Sequence, residues 1–242
     1  MTKCGTPRND NLFKAFMLIM HNSLSIIRPP SSPSGWIGTD ESGKGDYFGP
    51  LVIGGVYVDS KVQALLENLK VRDSKKISDG IVKELDFKIR SNCIYSVVVI
   101  GPEKYNLLYL KMKNLNRMLA WGHARVIENI LMRVNCMRVI SDQFGNELLI
   151  KNALLESGKK IKLEQMPHAE KDLGVAAASI VARAEFLRRM EKLSEQCGFD
   201  LPKGASSLVD EAAKKLVTKF GKEALNKFAK LHFKNTLKLG LG

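Results

Sequence analysis

The chain has 242 residues, 45% hydrophobic and 26% charged, a balance that excludes wholesale disorder and suits one large domain or two small ones. Lys and Arg number 38 against 25 Asp and Glu, so the formal net charge is +13. An excess of that size points to a polyanionic partner: nucleic acid, an anionic membrane surface or a phosphorylated substrate.

In chain order, residues 1–34 read as an N-terminal extension with a short helical piece over 11–23. It closes on the linker Pro29-Pro30-Ser31-Ser32-Pro33-Ser34, where prolines remove backbone donors and favour extended chain. No run of residues approaches the roughly 18 apolar residues of a spanning helix, so no membrane partner is expected. From Gly35 strands and helices alternate. Residues 36–40 predict a first strand, the β-branched run PLVIGGVYV at 50–58 a buried second strand, and IYSVVVI at 94–100 a third. Between them a helix is expected over 78–91, with Ser78 as its cap.

Apolar residues three and four apart predict a longer helix over 115–134. A strand follows over 137–141, ending at Asp142, then a helix over 147–157 and a strand over 160–166. A long helix is expected over 169–196, Ala-rich and then charged, stopped by Gly198. The tail from Lys203 reads as helical and basic, with nine lysines against three acids. Five strands alternating with helices predict an α/β fold with a mixed sheet flanked by helices and a helical C-terminal region. Cys4, Cys93, Cys136 and Cys197 form no CxxC pair and have no zinc-like spacing. They read as free thiols, which predicts a reducing, cytoplasmic location.

The acids of this basic chain stand at strand ends. Asp40 and Glu41 follow one apolar strand and precede Gly43-Lys44-Gly45; Asp142 ends another. In α/β sheets ligands gather beyond the carboxyl ends of strands. Carboxylates delivered there from two strands call for a cation, and Mg²⁺ is the natural oxygen-seeking one. Two such ions about 3.5–4 Å apart are a recurrent device for hydrolysing phosphodiesters. From spacing alone, an Asp-Glu pair after a strand is more often a solvated turn than a metal site. Residues 38–44 also fit the first seven positions of a phosphate-binding loop, G-x-x-x-x-G-K-[ST], but Gly45 replaces the hydroxyl residue and Asp40 and Glu41 would oppose triphosphate. No nucleotide cofactor is therefore expected. Gly43 and Gly45 instead let backbone press against a sugar, where a 2′-hydroxyl distinguishes RNA from DNA.

The segment GTDESGKGDYFGPLVIGGVYV at 38–58 resembles the signature of the type 2 ribonucleases H, with GKG and DYFGP similar to ribonucleases HIII. DSKKIS (73–78), KNLNRMLAWGHARVIENIL (113–131), HAEKDLGVAAASIVARAEFLRRM (168–190) and the C-terminal LPKGAS and KLHFKNT resemble the same family, in the same order. The resemblance covers residue 35 to the C-terminus and implies a ribonuclease H-like catalytic domain over 35–242. The N-terminal 34 residues are too few for the TATA-binding-protein-like domain typical of ribonucleases HIII.

The implied activity is endonucleolytic hydrolysis of the RNA strand of RNA–DNA hybrids with two Mg²⁺ or Mn²⁺ ions, leaving 5′-phosphate and 3′-hydroxyl ends, in a monomer. Asp40, Glu41 and Asp142 take the first three positions of the family's four acids. The fourth falls on Asp172, with Glu170 as the alternative at the same helix start. Asp40 would bridge both ions, Glu41 and Asp142 would hold one, and Asp172 the other. Gly43, Lys44 and Gly45 resemble the loop that touches the hybrid, and Ser74, Lys75 and Lys76 its phosphate-contacting segment. Ser179 is read as a packing position among small neighbours, and neither His123 nor His168 is expected to shuttle protons. Incision at single embedded ribonucleotides, or a non-catalytic basic nucleic-acid-binding module, are the alternative readings.

Overall fold

The computed structural model describes residues 35–71, 77–143, 145–155, 158–167 and 169–240, apart from the side chains of Glu147 and Glu170. The expected extension over 1–34, Ser74, Lys75, Lys76 and His168 lie outside the described residues. The chain runs β1 (Trp36–Ser42), β2 (Leu51–Val58), α1 (Ser60–Asn68), α2 (Asp79–Asn92), β3 (Tyr95–Ile100), α3 (Pro102–Met112), α4 (Leu115–Leu131) and β4 (Arg138–Asp142). It continues with α5 (Glu147–Ala153), β5 (Lys162–Met166), α6 (Leu173–Cys197), α7 (Ser207–Phe220), α8 (Leu225–Phe228) and α9 (Lys234–Lys238).

The sheet is mixed and five-stranded, in the order β3-β2-β1-β4-β5. β1, β2 and β3 are antiparallel neighbours, while β4 runs parallel to both β1 and β5. β2 is buried along its whole length because both of its faces are covered. Leu51, Ile53 and Tyr57 enter the core beneath α4, whereas Val52, Val56 and Val58 enter the core shared with α2 and α6. That alternation is the period of two that a strand imposes.

The small residues at the start of α6 permit a very close approach to the sheet. A Cβ on Gly38 in β1 would lie 2.0 Å from the Gly174 carbonyl carbon, so only glycine fits there. This contact fixes the N-terminal end of α6 against the middle of β1.

Several boundaries differ from expectation. The long helix begins at Leu173, because Ala169–Lys171 form a 3-10 turn and Asp172 caps the helix. Two helices were not anticipated: α1, capped by Asp59, and α3, which opens on Pro102. The helix expected to reach residue 134 stops at Leu131, and the one expected to reach 157 stops at Ala153. The basic tail is helical as expected, in three separate helices. Cys93, Cys136 and Cys197 are free and buried. Among the described residues no helix is long and apolar enough to cross a membrane.

Candidate active site

β1 and β4 deliver the acids together. Their parallel register pairs Thr39 with Ser141, so the next residues along, Asp40 and Asp142, leave the sheet side by side. Asp40, Glu41 and Asp142 line one cleft of about 370 Å³ with Ser42, Gly43, Lys44, Gly45, Ser179 and Arg183. Adjacent strand residues face opposite sides of a sheet. Accordingly Asp40 meets Ser179 of α6, while Glu41 meets His123 of α4.

The two carboxylates are treated differently. Burial first, and then the neighbouring charges of Glu41 and Asp142, push Asp40 up to about 7. Hydrogen bonds from the Glu41 backbone N–H (2.8 Å) and from Ser179 oppose that rise without cancelling it. Burial also works against ionised Glu41, but His123 and Lys44 outweigh it and hold this carboxyl below its ordinary value. Lys44 Nζ lies 3.3 Å from Glu41 Oε1, and His123 Nε2 lies 3.3 Å from Oε2. Asp142 Oδ1 accepts the Ala169 N–H at 3.2 Å, tying the strand end to the 3-10 turn before α6.

Asp172 has hydrogen-bond partners of its own. It caps α6, and its Oδ1 accepts from the Val175 N–H (3.0 Å) and from Trp36 Nε1 (3.1 Å). It does not line the cleft. Glu170 lies in the 3-10 turn before α6 and Asp172 caps that helix, so neither is part of the helix proper.

In the glycine loop, Gly43 has φ +85°, and a side chain there would meet Pro50 O at 2.2 Å, so the turn itself requires glycine. A side chain on Gly45 would meet nothing within 4 Å, which leaves that exposed backbone open to a ligand. After this loop the chain enters β2 instead of a helix, so it lacks the helix N-terminus on which a phosphate-binding loop depends.

Three residues take parts in the site that the sequence did not assign to them. Ser179, read as a packing position, bonds Asp40 and lines the cleft. His123, fully buried, bonds Thr39 and Glu41. Arg183 brings a cation to the cleft wall, where Asp79 holds its guanidinium at 2.8 Å.

Among the described residues no three acidic, His or Cys side chains close tightly enough to cage an ion alone. The donor set nevertheless fits a hard divalent cation that keeps several waters. Its donors are carboxylate oxygens around an open cleft, where burial first and then the charges of Glu41 and Asp142 raise Asp40.

The model of the ribonuclease HII family matches residues 37–236. The chain belongs to the type 2 ribonuclease H family. Within this family, the ribonuclease HIII of Protochlamydia amoebophila is 46% identical over 198 residues, covering 82% of this chain and 66% of that protein. That of Chlamydia pneumoniae is 46% identical over 202 residues, covering 82% and 67%. The chain thus spans about two thirds of the length of these relatives. The crystal structure of Bst-RNase HIII in complex with Mn²⁺ superposes with a TM-score of 0.79 at 36% identity, over 85% of this chain and 68% of that one. This type 2 ribonuclease H architecture is the mixed five-stranded sheet expected from the sequence.

Proposed function

We propose that residues 35–242 form a metal-dependent endonuclease domain that hydrolyses the RNA strand of RNA–DNA hybrids. The observation that carries this reading is the meeting of Asp40, Glu41 and Asp142 from two parallel strands in one open cleft beside the Gly43-Lys44-Gly45 loop. The net charge of +13 supplies the attraction for a polyanion. Family membership and the Mn²⁺ complex of the Bst enzyme support the same assignment.

Asp40, Glu41 and Asp142 would hold Mg²⁺ or Mn²⁺, with Asp172 as the fourth acid at the N-terminus of α6. Bound there, the ions supply positive charge that activates water and offsets the charge developing on the phosphate. The chain's own groups orient the reactants. Gly45 presents backbone to the ribose, and Lys44, whose side chain is partly exposed, is within reach of a phosphate once it leaves Glu41. In the reaction one water adds to phosphorus and the P–O3′ bond breaks. The leaving oxygen takes a proton to become the 3′-hydroxyl, and the new P–O bond remains as the 5′-phosphate.

The test is cleavage of an RNA–DNA hybrid, beside a DNA duplex carrying one ribonucleotide, in Mg²⁺ and in Mn²⁺. Asp40→Asn should abolish cleavage while hybrid binding in Ca²⁺ persists. Metal-dependent cleavage by that variant at the wild-type rate refutes the site. Salt-dependent binding by the wild-type chain with no turnover in either metal would favour a binding module.

A further inference from the structure

The geometry points to His123 as a positioning residue for Glu41, acting with Thr39 behind the acidic cleft. This inference rests on the nuclease reading of the site and deepens it. His123 is fully buried, and it stands behind the acids rather than in the lining of the cleft. Its Nδ1 is 2.9 Å from Thr39 Oγ1, and its Nε2 is 3.3 Å from Glu41 Oε2. The imidazole therefore bridges two β1 residues that share a face, at positions i and i+2 of the strand.

Packing delivers the ring to that place. Gly122, the preceding residue of α4, approaches so closely that a Cβ there would sit 2.6 Å from Ile53 Cδ1. Ile53 is the cross-strand partner of Glu41 in the β1–β2 ladder. A close approach of α4 is thus made beside Glu41, and the next helical residue turns its imidazole onto the strand.

The chemistry of the partners selects one tautomer. An ionised carboxylate only accepts, so Nε2 carries the proton and donates to Glu41. In the neutral ring Nδ1 then accepts from the Thr39 hydroxyl, which fixes the ring's orientation from its far side. A donor of this kind holds one carboxylate oxygen from the buried side. Lys44 reaches the other oxygen, Oε1, from the exposed side, where a ligand can displace it. A buried partner of fixed geometry behind a ligand group, with its own orienting hydrogen bond, is the arrangement that tunes metal ligands elsewhere.

The experiment compares wild type, His123→Gln, His123→Leu and Thr39→Val. Mn²⁺ binding to metal-free protein is measured by calorimetry, and kcat and KM for hybrid cleavage in Mn²⁺. Leucine fills the volume but donates nothing, whereas glutamine can place an N–H near the position of Nε2. The expected results are an about 10–100-fold loss of Mn²⁺ affinity or kcat in His123→Leu, hybrid KM within about twofold of wild type, and recovery of most of the loss in His123→Gln. Thr39→Val should show a smaller loss in the same quantities. The imidazole ¹⁵N spectrum of the metal-free wild type at pH 8 should show protonated Nε2 and bare Nδ1.

Equal losses in the Leu and Gln variants, wild-type binding and turnover in His123→Leu, or the opposite tautomer would each overturn the inference. Should His123→Leu fail to fold, wild-type values in Thr39→Val would overturn it. If the wild-type chain binds Mn²⁺ but does not cleave the hybrid, the nuclease reading falls. The calorimetric series would still decide the part played by His123.

Discussion

Asp40→Asn should stabilise the metal-free protein while removing its activity. Asp40 is pushed up to about 7 from an ordinary 3.8, with burial as the largest cause and the charges of Glu41 and Asp142 adding to it. A folded-state value raised by about 3 units corresponds to roughly 4 kcal/mol at ~1.36 kcal/mol per unit, the upper bound on the penalty for ionising it in the folded state. The sign follows from linkage. Below about 4 the group is protonated in both states, and the folded state carries no penalty from it. Between about 4 and 7 the unfolded chain ionises while the folded one holds its proton, so stability falls, and above 7 the full penalty applies.

Asparagine never ionises, and its carbonyl can still accept from the Glu41 N–H and Ser179. It lacks the tight charge-assisted bond, so a net gain of about 1–2 kcal/mol at pH 8.5 is expected. The assay is urea denaturation of metal-free wild type and variant at pH 5.5 and pH 8.5, repeated with Mn²⁺ at pH 8.5. The advantage of the variant should be larger at the higher pH, and Mn²⁺ should raise the wild-type midpoint more than the variant's. A variant destabilised by the same amount at both pH values would show that Asp40 is not under electrostatic strain, and the case for a cation in the cleft would lose its physical basis.

Gly38→Ala would place a methyl group 2.0 Å from the Gly174 carbonyl carbon. Backbone lies on both sides of that contact, so α6 must lift from β1, at a cost of about 3 kcal/mol or more, read as a fall in the urea midpoint. Ser179→Ala fits the packing but removes a hydrogen bond that lowers Asp40. The proton is then held more strongly, so the pH below which Mn²⁺ affinity falls, followed by calorimetry, should move upward. Lys230, with no exposed surface, donates to Asp46 O (2.7 Å) and Phe48 O (3.3 Å) and is brought down from 10.5 to about 7 by burial, against the charge of Asp46. Its folded-state value lies below the unfolded one, so wild type should gain stability as pH rises from about 7 toward 10.5. Lys230→Met should lack that slope in urea midpoints compared at pH 7.5 and 9.5.

What the sequence disclosed depended on whether local pattern or distant packing decided the outcome. The β-branched run of β2 could only be a buried strand, and Ser78 and Gly198 mark helix ends by their own chemistry. Ala169 and Glu170 have good helix propensity, so the sequence alone puts the start of α6 too early. Asp172 has the short acceptor side chain that caps a helix more readily than it continues one. α3 escaped notice because its stripe is poor. Leu107 and Leu110 are exposed, and its buried side chains include Asn106. The pairing of Asp40 and Glu41 with Asp142 was legible as acids after apolar strands. His123 was not, because an imidazole 82 residues from Glu41 becomes its partner only once α4 has docked on β2.

The site places adjoining acids on opposite faces of one strand, and each face supplies its own restraint. α6 brings Ser179 to Asp40, and α4 brings His123 to Glu41. The loop that follows is anchored independently by the C-terminal segment. Lys230 holds the carbonyls of Asp46 and Phe48, the Gly204 N–H donates to Asp46, and Phe48 bridges to Ala229. A cluster of like charges persists in a folded protein only where the surrounding structure over-determines it. Here the close helix–sheet contacts at Gly38 and Gly122 are that over-determination. Loosening either contact should therefore relax the acids as well as the core, and the repulsion that makes the cleft attractive to a cation would be spent in movement of the strand end instead.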